Sequence, residues 1–147
     1  MHTPVSRDLH ILLVEDNPGD VRLTEEALRE GKIANSLSVS RHGEDAMDFL
    51  RQRGAHTGAP RPDLVLLDLN LPKKDGREVL EEVKGDPDLH RIPVIVLTTS
   101  SADRDVLLSY NLHANCFIKK PIEYDEFIAA VRSIEDFWLK IVKLPPR

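Results

Sequence analysis

Three short apolar stretches decide the fold class: ILLV at residues 11–14, LVLL at residues 64–67 and VIVL at residues 94–97. Each has the length of a β-strand, and none shows the alternation expected of a strand with one face in water. Continuous runs of Val, Ile and Leu are typical of strands buried on both faces, as in a parallel sheet covered by helices. The stretches therefore predict the interior strands of an α/β protein.

Two further strands and five helices complete the predicted order. The run CFI at residues 116–118 predicts another strand, and SLSVS at residues 36–40 alternates, which is typical of an edge strand. The helices are predicted at about 18–31, 44–53, 76–86, 103–110 and from about Glu123 onward. Five strands alternating with five helices predict a (βα)5 fold with a doubly wound, five-stranded parallel sheet.

The composition is that of one folded domain and argues against several classes of protein. The chain has 147 residues, of which 41% are hydrophobic and 31% charged, enough apolar residues for a core. Its net charge of −5 argues against coating nucleic acid or an anionic membrane. The single cysteine excludes an internal disulfide framework. Because no stretch reads as a signal peptide or membrane span, we expect a cytoplasmic protein without nucleic-acid or membrane partners.

Chemically active residues follow the predicted strands at the point where each strand ends. In chain order they are Glu15 and Asp16 after the first strand, Asp68 after the third, Thr98 after the fourth and Lys120 after the fifth. The carboxyl ends of parallel strands meet at one edge of a doubly wound sheet, where such folds form their sites. The sequence therefore predicts that these side chains lie close together.

The gathered residue types point to phosphoryl chemistry. Three carboxylates in one cleft repel one another and need a positive counter-charge. Carboxylate oxygens suit Mg²⁺, which keeps several waters for phosphate oxygens. Lys120 can pair with a carboxylate at rest and with a phosphoryl oxygen later. The pattern predicts a phosphoryl-accepting aspartate, with Asp68 as the nucleophile.

Four strings, ILLVEDNP, DLVLLDLNLPKKDG, VIVLTTS and FIKKP, resemble the receiver domain of two-component response regulators over about residues 9–140. The spacing is also similar: 52 residues from Asp16 to Asp68, 30 from Asp68 to Thr98 and 22 from Thr98 to Lys120. The resemblance implies a flavodoxin-like strand order, 2-1-3-4-5. It also implies a role for each matching residue: Asp68 as phosphoacceptor, Glu15, Asp16, Asp68 and the Asn70 backbone carbonyl as metal ligands, Thr98 and Phe117 as switch residues, and Lys120 as the phosphate contact.

The resemblance implies a signalling function rather than enzymatic turnover. We expect a single-domain response regulator that takes a phosphoryl group from the phosphohistidine of a sensor kinase, promotes its own phosphorylation and dephosphorylation with Mg²⁺, and changes its surface. The long loop at residues 54–62 and the extended end FWLKIVKLPP resemble regulators that partner bacterial and cyanobacterial phytochrome kinases, so a bacteriophytochrome is the expected partner. The expected layout is a tail at 1–8, a receiver domain at 9–142 and a tail at 143–147.

The end of the chain holds more apolar residues than one sheet-facing stripe needs. Phe127, Val131, Ile134 and Trp138 supply such a stripe, and the excess is Phe137, Leu139, Ile141, Val142 and Leu144. An exposed apolar patch marks an interaction site, and twofold pairing is the commonest closed assembly. We expect a homodimer through the C-terminal half, on the predicted fourth and fifth helices. The alternative is that the extension folds back onto its own domain.

Two other functions fit parts of the pattern. A phosphatase of the haloacid dehalogenase type also uses an aspartate nucleophile and Mg²⁺, but it needs an acid two residues later, where this chain has Asn70. A flavin-binding domain of similar topology needs a phosphate loop rich in Ser, Thr and Gly after the first strand, where this chain has an acidic pair.

Overall fold

The computed structural model describes residues 9–29, 35–69, 71, 75–99, 114 and 116–132. The elements in chain order are β1 (Leu9–Val14), α1 (Pro18–Arg29), β2 (Asn35–Ser40), α2 (Gly43–Leu50), β3 (Leu64–Asp68), α3 (Gly76–Gly85), β4 (Val94–Thr98), β5 (Cys116–Lys119) and α4 (Tyr124–Arg132). The predicted helix at 103–110, both predicted tails and the extended C-terminal end lie outside the described residues. No helix within the described ranges is both long and apolar enough to cross a membrane.

The strands form one parallel sheet in the order β2-β1-β3-β4-β5, which confirms the predicted fold class and strand order. The uninterrupted apolar strands lie inside the sheet, and every residue of β3 and β4 is buried. The alternating strand β2 is an edge, as expected, and most of its residues are half-buried. Asp68 pairs in register with Leu97, and Thr98 pairs with Lys119, so neighbouring strands end at the same edge.

Two apolar clusters cover the two faces of the sheet, because successive side chains of a strand point to opposite faces. In β1, Ile11 and Leu13 pack with α1 and α4. The alternate residues Leu12 and Val14 point to the other face and pack with α2 and α3. This division explains the apolar runs, since a strand with helices on both sides has no face in water.

The helices begin at capping residues that the sequence makes recognisable. The Asn17 carbonyl and side-chain oxygen accept hydrogen bonds from the first turn of α1, and Pro18 occupies the first helical position, where its missing N–H is harmless. The Asp75 side chain accepts a hydrogen bond from the Glu78 backbone N–H, and the Glu78 side chain accepts one from the Asp75 backbone N–H. This capping box fixes the start of α3, the helix that follows the loop after Asp68.

Candidate functional site

The acidic residues converge at the carboxyl edge of the sheet, as predicted. Glu15 directly follows β1, and Asp68 is the last residue of β3. Both are almost fully buried, with 1% and 3% of their surface exposed, whereas Asp16 is exposed. One carboxylate oxygen from each of the three residues lies within 4.8 Å of the others. This arrangement concentrates negative charge at one point that is partly open to solvent.

Glu15 is held in place from several directions. Its backbone N–H donates to the Ser40 carbonyl at 2.9 Å, and its carboxylate accepts hydrogen bonds from the Asn17 backbone at 3.3 Å and from Lys120 Nζ at 2.9 Å. Burial raises the pKa of Glu15 to about 7, against the lowering effect of Lys120 and with a further rise from neighbouring Asp68. Without an additional cation, this carboxyl is therefore only partly ionised near neutral pH.

Lys120 is the positive charge at the centre of the site. Its Nζ donates to Glu15 Oε1 at 2.9 Å, Asp20 Oδ2 at 2.9 Å and Asp68 Oδ2 at 3.2 Å. Its backbone N–H donates to the Thr98 carbonyl at 2.8 Å, which fixes the start of the side chain against the end of β4. Burial alone lowers the pKa of Lys120, but the hydrogen bonds that it donates to Asp20 and Glu15, together with the charges of Asp68 and Glu15, outweigh burial, and the pKa is raised. The ammonium group therefore stays charged.

Asp20 is a member of the site that the sequence pattern does not predict. Asp20 lies in the first turn of α1, where an acidic residue is expected for its favourable interaction with the helix dipole. Because the helix dipole already accounts for an acidic residue at this position, the sequence gives no reason to expect its contact with Lys120, which is 100 positions away along the chain. The contact could have been predicted only by considering two elements together. The first turn of α1, which carries Asp20, lies at the same sheet edge as the end of β5, which Lys120 follows.

Thr98 lies at the same edge, and Phe117 lies on the neighbouring strand. Thr98 ends β4 and is 6% exposed. Phe117 is half-buried on β5 and packs against the cluster under α2 and α3. Asn70 lies outside the described residues, so its role as a metal ligand stays a prediction.

The backbone after Asp68 is packed tightly against the start of α3. The Gly76 N–H donates to the Leu69 carbonyl at 3.0 Å. A Cβ atom at position 76 would lie 2.5 Å from Leu69 Cα and 2.6 Å from the Asp68 carbonyl oxygen, closer than carbon and oxygen atoms approach without a shift. Glycine is therefore required for the contact that holds the end of β3.

The sequence matches the family model of the response regulator receiver domain over residues 11–132. The chain belongs to this family. Receiver domains bind Mg²⁺ and accept a phosphoryl group on an aspartate from a sensor kinase. The three clustered carboxylates fit such a cation, because they are hard oxygen donors that lie within 4.8 Å of one another and repel one another until a positive charge neutralises them.

The chain is similar to the response regulators Rcp1 and RcpA over nearly its whole length. It is 53% identical over 135 residues to the response regulator Rcp1 of Synechocystis sp. (strain PCC 6803), covering 92% of each chain. The structure of Mn²⁺-bound Rcp1 superposes with a TM-score of 0.73 at 52% identity, covering 93% of this chain and 99% of that one. The phosphorylated cyanobacterial phytochrome response regulator RcpA gives a TM-score of 0.75 at 50% identity, covering 95% and 99%.

Proposed function

We propose that this receiver domain accepts the phosphoryl group on Asp68, from the phosphohistidine of a sensor kinase. The observation that carries the proposal is the position of Asp68: it ends a buried strand, with Lys120 Nζ 3.2 Å from Oδ2 and the Glu15 and Asp16 carboxylates beside it. In the transfer, an Asp68 oxygen forms the new O–P bond while the P–N bond to the donor imidazole breaks. The imidazole leaves with the electron pair of that bond.

Lys120 supplies fixed positive charge where the phosphoryl oxygens arrive. Its side chain is only 13% exposed, so little water screens its charge. Because its Nζ already touches Asp68, the ammonium needs only a small movement to reach an oxygen of the incoming group. Charge that is already positioned costs little reorganisation during the reaction.

Glu15, Asp16 and Asp68 would hold Mg²⁺, and the predicted fourth ligand is the Asn70 backbone carbonyl. When bound, Mg²⁺ neutralises the charge that develops on the transferred phosphoryl group. The exposed side chain of Asp16 lies where solvent, and hence a donor, can reach the cluster. Glu15 is buried, so water has little access to the position where its carboxylate would bind the ion.

The signal is a shift between two arrangements of the surface. Once Asp68 carries the phosphoryl group, we propose that the Thr98 hydroxyl turns to donate to one of its oxygens and that Phe117 fills the space left behind. The positions of Thr98, buried at the end of β4, and of Phe117, half-buried on β5, support this pairing. Phosphorylation would bias an equilibrium that already exists rather than create a new state.

Signalling, not turnover, is the proposed output of this chemistry. A phosphatase of the haloacid dehalogenase type would need a proton donor two residues after the nucleophile, and Asn70 cannot transfer a proton. The match of the receiver model to residues 11–132 supports the same choice. The chain would therefore promote only the gain and loss of its own phosphoryl group.

The proposed kinase is a bacteriophytochrome acting in the cytoplasm. The similarity to the phytochrome response regulator RcpA, at 50% identity, supports this partner. Phosphotransfer from a panel of purified kinases should be fastest from a phytochrome kinase. Equal or faster transfer from unrelated kinases would contradict the assignment.

We also propose a homodimer through the C-terminal half, on the strength of the apolar residues beyond residue 132 in the sequence. Sedimentation of the unphosphorylated protein at micromolar concentration should show a dimer, and truncation after Glu135 should yield a monomer. A monomer in both cases would mean that the extension packs on its own domain.

The phosphoacceptor can be tested directly by mass spectrometry of the intact protein. With a small phosphodonor and Mg²⁺, the wild type should gain one phosphoryl group, and Asp68→Asn or added chelator should prevent it. Asp88→Asn, at an exposed position, is the matched control and should be labelled normally. Stoichiometric labelling of Asp68→Asn would refute the assignment.

A further inference from the structure

Lys120 has one carboxylate partner that does not belong to the proposed metal cluster. The cluster consists of Glu15, Asp16 and Asp68, and Lys120 contacts two of its members. Its third partner is Asp20, whose Oδ2 lies 2.9 Å from Lys120 Nζ. An ammonium group has three N–H donors, so the three carboxylates match its full hydrogen-bonding capacity.

Asp20 is fixed by its helix and is not a freely moving surface residue. It lies in the first turn of α1, and its backbone N–H donates to Asn17 Oδ1 at 3.0 Å. Its side chain is one-third exposed, while that of Lys120 is 13% exposed. The pair is therefore better shielded than the exposed ion pairs that contribute little.

A bound cation would weaken the three hydrogen bonds of Lys120 to different extents. Glu15 and Asp68 would turn oxygens toward the cation, and their remaining negative charge would be partly neutralised. Asp20 lies outside the cluster and would keep both its charge and its contact with Lys120. A lysine side chain has four rotatable methylene bonds, so loss of its partners would let the ammonium move away.

We propose that Asp20 is a positioning residue that keeps Lys120 Nζ beside Asp68 when the cation is bound. The inference rests on the proposed function of Asp68 for its kinetic consequence, but not for the contact itself. Asp20 would act through Lys120 and would touch neither the phosphoryl group nor the cation.

Two substitutions separate position from charge. Asp20→Asn removes the charge but keeps an oxygen that can accept from Lys120, whereas Asp20→Ala removes both. With saturating Mg²⁺ and a small phosphodonor, Asp20→Ala should be phosphorylated about tenfold more slowly than wild type. That is less than the roughly hundredfold cost of a misplacement of about 1 Å, because Glu15 and Asp68 still restrain the ammonium. Asp20→Asn should stay within about threefold of wild type, since a neutral hydrogen bond is weaker but keeps its geometry.

A second measurement tests the contact without phosphorylation. In ¹⁵N NMR spectra with Mg²⁺, the Lys120 ammonium signal, assigned by its loss in Lys120→Arg, should be protected from solvent exchange in wild type and Asp20→Asn. It should broaden in Asp20→Ala. Glu25→Ala removes a carboxylate from an exposed position on the same helix and should match wild type in both assays, and thermal unfolding should verify that all variants fold.

The outcomes distinguish this inference from the proposed function. Asp20→Ala reacting at the wild-type rate, Asp20→Asn reacting as slowly as Asp20→Ala, or an unchanged ammonium signal in Asp20→Ala would overturn the positioning role. If wild type takes up no phosphoryl group on Asp68, the proposed function fails, while the NMR comparison still decides whether Asp20 holds Lys120.

Discussion

Replacing Glu15 by glutamine should remove a pH dependence that this buried acid imposes on folding in the absence of metal. The pKa of Glu15 is about 7 in the folded protein, against 4.5 for an unperturbed glutamate. Between these values the folded protein keeps a proton that the unfolded chain releases. The contribution of Glu15 to the free energy of unfolding should therefore be largest below pH 4.5, fall as the pH rises toward 7, and level off above it.

The size of the effect follows from the two pKa values. Each unit between them corresponds to about 1.4 kcal/mol, so ionising Glu15 in the folded state costs up to about 3 kcal/mol. Glutamine resembles the protonated acid and cannot ionise. In the wild type, one carboxylate oxygen of Glu15 accepts from Lys120 and the other accepts from the Asn17 backbone N–H at 3.3 Å. Glutamine has only one side-chain oxygen, so it cannot keep both contacts. Above pH 7, Glu15→Gln should therefore be more stable than wild type by about 2 kcal/mol, after the loss of roughly 1 kcal/mol for that hydrogen bond.

The assay is urea unfolding followed by far-ultraviolet circular dichroism from pH 5 to 8, with a chelator present throughout. Glu25→Gln removes the same charge at an exposed position of α1 and should keep the wild-type slope. A Glu15→Gln variant whose unfolding free energy falls with pH as steeply as that of wild type would refute the reasoning.

Three further substitutions test the framework around the site. Gly76→Ala should cost about 2 kcal/mol of stability in urea unfolding and slow phosphorylation, because the new Cβ meets Leu69 Cα at 2.5 Å; an unchanged phosphorylation rate would contradict this. Asp75→Ala should cost about 1 kcal/mol through loss of the α3 cap; no loss in urea unfolding would show that the capping box contributes nothing. Leu12→Ala should cost about 3 kcal/mol without changing the phosphoacceptor, because Leu12 is fully buried away from the site edge; a loss below about 1 kcal/mol would contradict its place in the core.

The sheet could be predicted because the amino-acid composition of each strand indicates whether one or both of its faces are buried. The runs at residues 64–67 and 94–97 are apolar at every position and lie in strands that are buried throughout, as expected for strands with both faces covered. The weaker alternation of β2 correctly placed it at an edge. The starts of the first and third helices, expected at about residues 18 and 76, were equally local predictions, and in the structure Asn17 and Asp75 accept the capping hydrogen bonds of these helices. These signals are local, so one chain suffices to read them.

The location of a site residue could be predicted only where a single strand or helix determines it. A residue that ends a strand, such as Asp68 or Thr98, must lie at the sheet edge whatever the rest of the chain does. Asp20 is different, because its contact with Lys120 depends on how α1 is rotated about its axis and on where the chain leaves β5. Neither rotation nor exit direction is encoded in the few residues nearby.

Glu15 and Asp16 show the same limit within one dipeptide. Both follow β1, and both were expected to be metal ligands, yet Glu15 is almost fully buried whereas Asp16 is exposed to solvent. The difference follows from the end of the strand, where Glu15 N–H still pairs with Ser40 of β2 and turns its side chain toward Lys120. Burial then raises the pKa of Glu15 while Asp16 remains open to solvent. The proposed cation site is therefore asymmetric: Asp16 lies on its solvent-exposed side, and the buried Glu15 carboxyl would bind the ion in its ionised form.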